Sequence, residues 1–291
     1  SSGTEGTGTM HRYRWHLALL GTATVLVWFL ALTLPSDKLV VSFLDVGQGD
    51  SILISTPSGR QVLIDGGPDP QLLLQRLGET MPFWDRKIDL VILTHPSRDH
   101  LGGLLGALKR YEVGTAMESD LRDGSDTYAE WQKSISTTKA RMGQVVNLGK
   151  GVYLEVLNPP DPPIQGTSSD LNNNAVVVRL TYRAVSFLLT GDLSWEGESL
   201  LLDNGLDLRS SVLKVGHHGS KGATSPDFLA AVDPTVAVIS VGAENPFGHP
   251  SPETTERLSQ TVGAERIYTT ASKGTIKLIT DGERLWVETT K

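Results

Sequence analysis

The chain has 291 residues, a formal net charge of -7 and no cysteine. Its length allows one large domain or two small ones. The acidic balance excludes a broadly basic nucleic-acid footprint. Absence of cysteine excludes disulfides and thiolate metal sites and leaves His, Asp, Glu and Asn as candidate ligands.

Residues 1–16 open with Ser, Gly and Thr and read as a flexible tail. Leu17 to Leu34 is uncharged and apolar apart from three threonines and one glycine. Its length sits at the lower edge of what spans a bilayer core, roughly 17–25 residues. Arg12 and Arg14 precede it, so the positive-inside rule predicts a transmembrane-like helix with the following domain outside the cytoplasm. A signal peptide is the alternative, although no clean cleavage site follows. Residues 35–291 then form the main domain.

Three short strands are expected first, at 39–44, 51–56 and 61–65, with a glycine-rich turn from Asp45 through Gln48 to Asp50. A helix near 71–77 leads to the apolar run 88–93, which reads as a buried strand. It ends in His95-Pro96-Ser97-Arg98-Asp99-His100, followed by Gly102-Gly103 and a helix over 101–111. Imidazole and carboxylate on one tight loop suit zinc or manganese. The competing reading makes Asp99 a helix cap.

Residues 118–149 are polar, with a helix around 128–135. A strand at 152–157 precedes a proline-rich loop. Asn172-Asn173-Asn174 can offer amide groups. Paired strands at 175–182 and 185–190 end at Asp192, where a carboxylate can bridge two cations about 3.5–4 Å apart. A helix covers 195–202. The strand 211–215 ends in Gly216-His217-His218-Gly219-Ser220, where one histidine suits a ligand and the other an orienting or substrate role. His249 lies in a further loop after the strand 236–240. Strands at 275–279 and 284–288 close the chain. Two halves of strands and helices favour two packed sheets with helices outside.

Taken together, Phe43 to Ser51, Leu63 to Gly67, Thr94 to Gly103, Asn172 to Asn174, Leu189 to Asp192, Lys214 to Ser220 and Gly248 to Pro250 resemble the metallo-β-lactamase superfamily. Within it they resemble the C-terminal domain of ComEC-type DNA-uptake (competence) proteins. That resemblance implies an α/β fold, an αββα sandwich with its site at one edge. It implies one or two divalent cations, Mn²⁺ or Zn²⁺, on His95, Asp99, His100, Asp192 and His217 or His218. Asp99, Asp192, His218 and His249 would carry the chemistry. Asp45, Gln48, Asp50, Asp65, Asn174, Lys214 and Ser220 would support the metal loop or touch substrate. It also implies a nuclease acting on single-stranded DNA at a bacterial cell membrane, outside the cytoplasm, beside a multi-span channel domain. Two departures stand out: Ser97 replaces a ligand position, and Ala175 stands where serine is common. The alternatives are a small-molecule ester or lactone hydrolase and a DNA-binding domain without catalysis.

Overall fold

A computed structural model describes residues 7–33 and 37–291, with side chains for 13–26 and 37–291. The chain divides into two units, 1–36 and Asp37–Lys291. In the first, a helix spans Thr7–Thr33. Of the stretch 1–16 expected to be a flexible tail, residues from Thr7 onward are helical; residues 1–6 lie outside the described residues. The expected transmembrane-like helix also needs correction. Among the described residues, no helix is long and apolar enough to cross a membrane. Its described side chains run only from Tyr13 to Leu26 and include Arg14, His16 and two threonines. A bilayer core needs about 20 apolar residues. The Thr22 and Thr24 hydroxyls donate to carbonyls four residues back, at 2.9 and 2.8 Å. The rest of the expected span, from residue 27, lies outside the described side chains.

The second unit holds two mixed sheets. Chain order gives β1 (Leu39–Phe43), β2 (Ile52–Ser55), β3 (Gln61–Ile64), β4 (Lys87–Leu93), β5 (Glu112–Glu118) and β6 (Thr137–Lys139). Then come β7 (Val145–Gly149), β8 (Val152–Asn158), β9 (Val177–Tyr182), β10 (Val185–Leu189), β11 (Val212–Lys214), β12 (Val236–Ile239) and β13 (Ile267–Thr269). The last two, β14 (Ile276–Thr280) and β15 (Leu285–Thr289), return to the first sheet. The strand orders are β15-β14-β1-β2-β3-β4-β5-β6 and β13-β12-β11-β10-β9-β8-β7. β1, β2 and β3 pair antiparallel, whereas β3, β4, β5 and β6 run parallel.

Strand alternation explains the layers. Ile52, Ile54, Val62 and Ile64 point between the sheets and meet Val178, Leu180 and Phe187. Leu53, Leu63 and Val91 point outward, onto the helices Pro70–Thr80, Leu104–Arg110 and Asp126–Ser134. Across the second sheet, Leu188, Leu213 and Ile239 pack on Leu201, Phe228 and Leu258 of three further helices. The result is an αββα sandwich.

Several elements differ from expectation. The helix expected over 101–111 is broken into Arg98–Leu101 and Leu104–Arg110. Gly103 sits at the break, and a Cβ there would lie 1.9 Å from the Gly66 carbonyl oxygen. Strands β6 and β7 fall within the stretch read only as polar, 118–149, and β5 runs into its start at Glu118. Helices Pro226–Val232 and Pro252–Val262 were not anticipated, although each carries a serine cap followed by proline at its first position. That pairing is a helix-start signal.

Candidate metal centre

The C-terminal ends of β4, β10, β11 and β12 deliver side chains to one edge of the sandwich. β10, β11 and β12 run parallel, so their ends align. From β4 come His95, Asp99 and His100; from β10, Asp192; from β11, Lys214 and His218. The turn before β2 presses against this loop. Gly49 has φ +129°, and a Cβ there would lie 2.1 Å from the Asp99 carbonyl oxygen. Only glycine allows that approach.

Four side chains, Asp99, His100, Asp192 and His218, place one ligand-type atom each within 4.8 Å of the others, a spacing that could hold a metal ion. His218 Nε2 lies 3.4 Å from Asp192 Oδ2 and 3.4 Å from Asp99 Oδ2. His100 Nε2 lies 3.4 Å from Asp192 Oδ1, and His95 Nε2 lies 3.9 Å from Asp192 Oδ2. The Nε2 atoms of His95, His100 and His218, and Asp192 Oδ1, are buried and have no hydrogen-bond partner among the described residues. Buried polar atoms are rarely left unpaired. Such a set, with imidazole and carboxylate donors only, fits a borderline divalent cation.

The opposite ring nitrogens are held. His100 Nδ1 is 2.7 Å from Asp65 Oδ2, and His218 Nδ1 is 2.9 Å from the Ser240 carbonyl. Each interaction favours a proton on Nδ1 and leaves Nε2 as the outward donor atom. Asp65 also accepts from the Thr94 N–H (2.8 Å) and hydroxyl (2.7 Å). Lys214 is fully buried and reaches Asp50 Oδ2 at 2.5 Å and the Gly191 carbonyl at 2.7 Å.

Electrostatics follow from burial and these neighbours. Burial, reinforced by His100, pushes His95 down to about 3. Burial acts the same way on His100 and His218, but Asp192 leads a set of carboxylates that raises both well above the usual imidazole value. Burial would raise Asp192 and Asp50; the imidazoles in one case, and Lys214 in the other, hold both carboxyls low. Burial lowers His217 and His249.

Of the two adjacent histidines, the structure brings His218 into the four-residue group. His217 is one-third exposed, with Nε2 4.0 Å from Asp192 Oδ2 and 3.5 Å from Asn172 Nδ2. Both adopt left-handed backbone conformations, φ 45° and 52°. Successive residues bent this way send their rings to different sides. Gln48, His217 and His249 line a cavity of about 140 Å³ together with Asp99, Asp192 and His218.

Three expected residues lie elsewhere. Asn174 spends its amide on the loop, bonding Ile164 and Asp170 backbone. Asn172 reaches the cavity instead. Ser220 Oγ accepts from the Gly222 N–H, and Asp45 pairs with Lys291 at 3.0 Å. Ser97 lines the cavity and makes no capping hydrogen bond. Asp99 is not the helix cap, because Ser97 and Gly103 hold the cap positions of the two helices. Thr94 and the Ser240 carbonyl were missed. Thr94 precedes the first histidine directly, but a backbone carbonyl leaves no residue-type signal.

A two-sheet α/β sandwich with such a centre at its edge defines a class of metal-dependent hydrolases. This chain belongs to the metallo-beta-lactamase superfamily, whose family model matches residues 44–243. It is similar to ComE operon protein 3 of Bacillus subtilis (strain 168), 32% identical over 286 residues, covering 90% of this chain and 36% of that protein. It is also similar to competence protein ComA of Neisseria gonorrhoeae, 30% identical over 218 residues, covering 75% and 29%. The chain spans about a third of the length of the curated relatives it matches. Among solved structures, CmlA, a diiron beta-hydroxylase from Streptomyces venezuelae, aligns with a TM-score of 0.54 at 14% identity, covering 80% of this chain and 53% of that one. At that identity the likeness shows the fold alone.

Proposed function

We propose that this domain is a metal-dependent phosphodiesterase acting on DNA during uptake, at the bacterial cell membrane and outside the cytoplasm. The single observation that supports it best is the convergence of Asp99, His100, Asp192 and His218 ligand-type atoms within 4.8 Å of one another, three of these residues (Asp99, Asp192 and His218) lining one cavity. The competence relatives supply the DNA-uptake context. A multi-span channel in the same protein fits the short share of those relatives that the chain covers.

His95, Asp99, His100, Asp192 and His218 would hold one or two divalent cations, Mn²⁺ or Zn²⁺. Bound cations supply Lewis acidity for the attacking water and the phosphoryl oxygens. Asp99, one-third exposed, orients that water from the cavity side. Asp65 and the Ser240 carbonyl hold two imidazoles in one tautomer. His249, lowered by burial and by His217, can hydrogen-bond the phosphate through a ring N–H. Lys214 balances Asp50 and is enclosed, so it acts on the site through charge rather than contact.

The test incubates the purified chain with single- and double-stranded DNA plus Mn²⁺, Mg²⁺ or Zn²⁺, beside Asp99→Ala and EDTA controls. Cleavage that needs both metal and Asp99 is expected. Full activity in Asp99→Ala would sink the assignment.

A second reading, hydrolysis of a small ester or lactone, draws on the net charge of -7. DNA binding that does not weaken with salt would favour it, since phosphate contacts release counterions.

A further inference from the structure

We infer that Phe247 is a stacking platform for the nucleobase beside the scissile phosphodiester, so that the site takes single-stranded nucleic acid. This rests on the phosphodiesterase reading. Phe247 is 64% exposed yet lines the same cavity as Asp99, Asp192 and His218. Its loop is fixed. Asn245 Oδ1 accepts from the Phe247 and His249 N–H groups at 3.2 and 3.0 Å, while its Nδ2 donates to the Gly242 and His249 carbonyls at 2.8 and 2.7 Å. The Phe247 ring stacks on His249, with centroids 5.9 Å apart and planes 23° apart. An imidazole of the site thus flanks the ring in an offset, near-parallel arrangement, and the ring remains largely open to solvent.

Size decides what meets that ring. Pockets that enclose a drug-sized ligand run to roughly 300–1,000 Å³. A cavity of about 140 Å³ admits a phosphodiester group but not the sugar and base attached to it. The flanking nucleotide must lie across the rim, where Phe247 stands. A rigid aromatic ring there recognises any base by its π-face, without reading sequence. Bases in a duplex are already stacked on each other, whereas single strands can splay a base onto a protein ring. Trp195 is also exposed, at 43%, but Arg257 sits 5.8 Å above its ring and it does not line the cavity. It serves as a control.

The experiment compares the whole chain with Phe247→Ala, Phe247→Trp and Trp195→Ala. Substrates are a single-stranded oligodeoxynucleotide and an abasic strand of equal length, with Mn²⁺. Phe247→Ala should lose roughly 5- to 100-fold in kcat/KM on the base-bearing strand relative to the abasic one, mostly through KM. Phe247→Trp should restore it, and Trp195→Ala should match the parent chain. Equal losses on both strands, or none, would overturn the inference. A second readout needs no turnover: quenching of a 2-aminopurine strand bound in EDTA. Weaker quenching in Phe247→Ala supports stacking; unchanged quenching refutes it. If no strand is cleaved by the parent chain, the phosphodiesterase reading fails, and the quenching arm still decides the role of Phe247.

Discussion

His100 Nδ1 and Asp65 Oδ2 lie 2.7 Å apart with both side chains fully enclosed. Asp65 adopts φ 56°, a left-handed conformation that Asp and Asn tolerate better than most residues. From there its two oxygens accept three bonds, two from Thr94 and one from His100. The metal loop is therefore tied to β3 by one carboxylate.

Asp65→Asn should keep the backbone but replace one acceptor with an NH2 group. Metal affinity should fall about 10- to 100-fold, the usual cost of removing a partner behind a ligating histidine. Asp65→Ala should also lose about 3–5 kcal/mol of stability, since it leaves buried donors unpaired. Metal titration followed by thermal melts separates the two effects. Unchanged affinity in Asp65→Asn would show that His100 needs no support from β3.

Lys214→Met should destabilise by about 3–5 kcal/mol at pH 7, because Asp50 becomes an unpaired buried charge. In the parent chain Lys214 holds the Asp50 carboxyl below its unfolded value of 3.8, against burial. That contribution is present above pH 3.8 and is lost as pH falls through the lower folded value. In Lys214→Met burial dominates, so acid protonates Asp50 and relieves the variant. The stability gap should narrow between pH 7 and pH 4. Urea melts across that range check it, and a gap that widens would contradict the pairing.

Adding Mn²⁺ or Zn²⁺ should raise the melting temperature, and EDTA should reverse it. Saturation at 100 times Kd corresponds to about 2.7 kcal/mol. Protons compete for the same imidazoles. In the metal-free chain, carboxylates led by Asp192 outweigh burial and raise the proton affinity of His100 and His218. Metal and proton compete for the same Nε2 atoms, so affinity should rise with pH. Calorimetry in buffers of different ionisation enthalpy counts the displaced protons. Affinity independent of pH between 6 and 8 would remove both histidines from the ligand set.

The strand-end loops were legible because an apolar run stopping at His, Asp or Gly is a local pattern. Thr94 to His100, Gly191 to Asp192 and Gly216 to His218 all lie where that pattern places them. Partners set by tertiary contact were not legible. Asn172 and Asn174 look alike in sequence, yet a short helix, Asp170–Asn173, turns one amide to the cavity and the other into its own loop. The choice between His217 and His218 depended on two positive-φ residues in succession, which residue type does not announce. Helices 226–232 and 252–262 were hidden because Ser-Pro reads equally as a turn.

His218→Ala should abolish metal-dependent stabilisation, while His217→Ala should retain it. His218 Nε2 has no hydrogen-bond partner among the described residues and faces Asp99 and Asp192, whereas His217 lies beside Asn172 and Ser194 at the cavity rim. If the two variants bind metal equally, the left-handed pair does not sort their roles. Any loss in His217→Ala should then appear in cleavage kinetics alone.

Ser97 offers the last test. Its side chain makes no capping bond, so Ser97→Ala should change stability by less than about 0.5 kcal/mol. Its position on the cavity wall, half a turn before Asp99, is where a further ligand would reach inward. Aspartate is as good a helix cap as serine, so Ser97→Asp should fold. It should add an oxygen donor to the wall and tighten metal binding about tenfold, most for oxygen-preferring Mn²⁺. Metal content after dialysis, measured for parent and variant, is the check. Tighter Mn²⁺ retention with faster DNA cleavage would mean that Ser97 limits the parent site through its metal. No gain in retention would mean that the four-residue group already fills the coordination sphere and that Ser97 faces substrate instead.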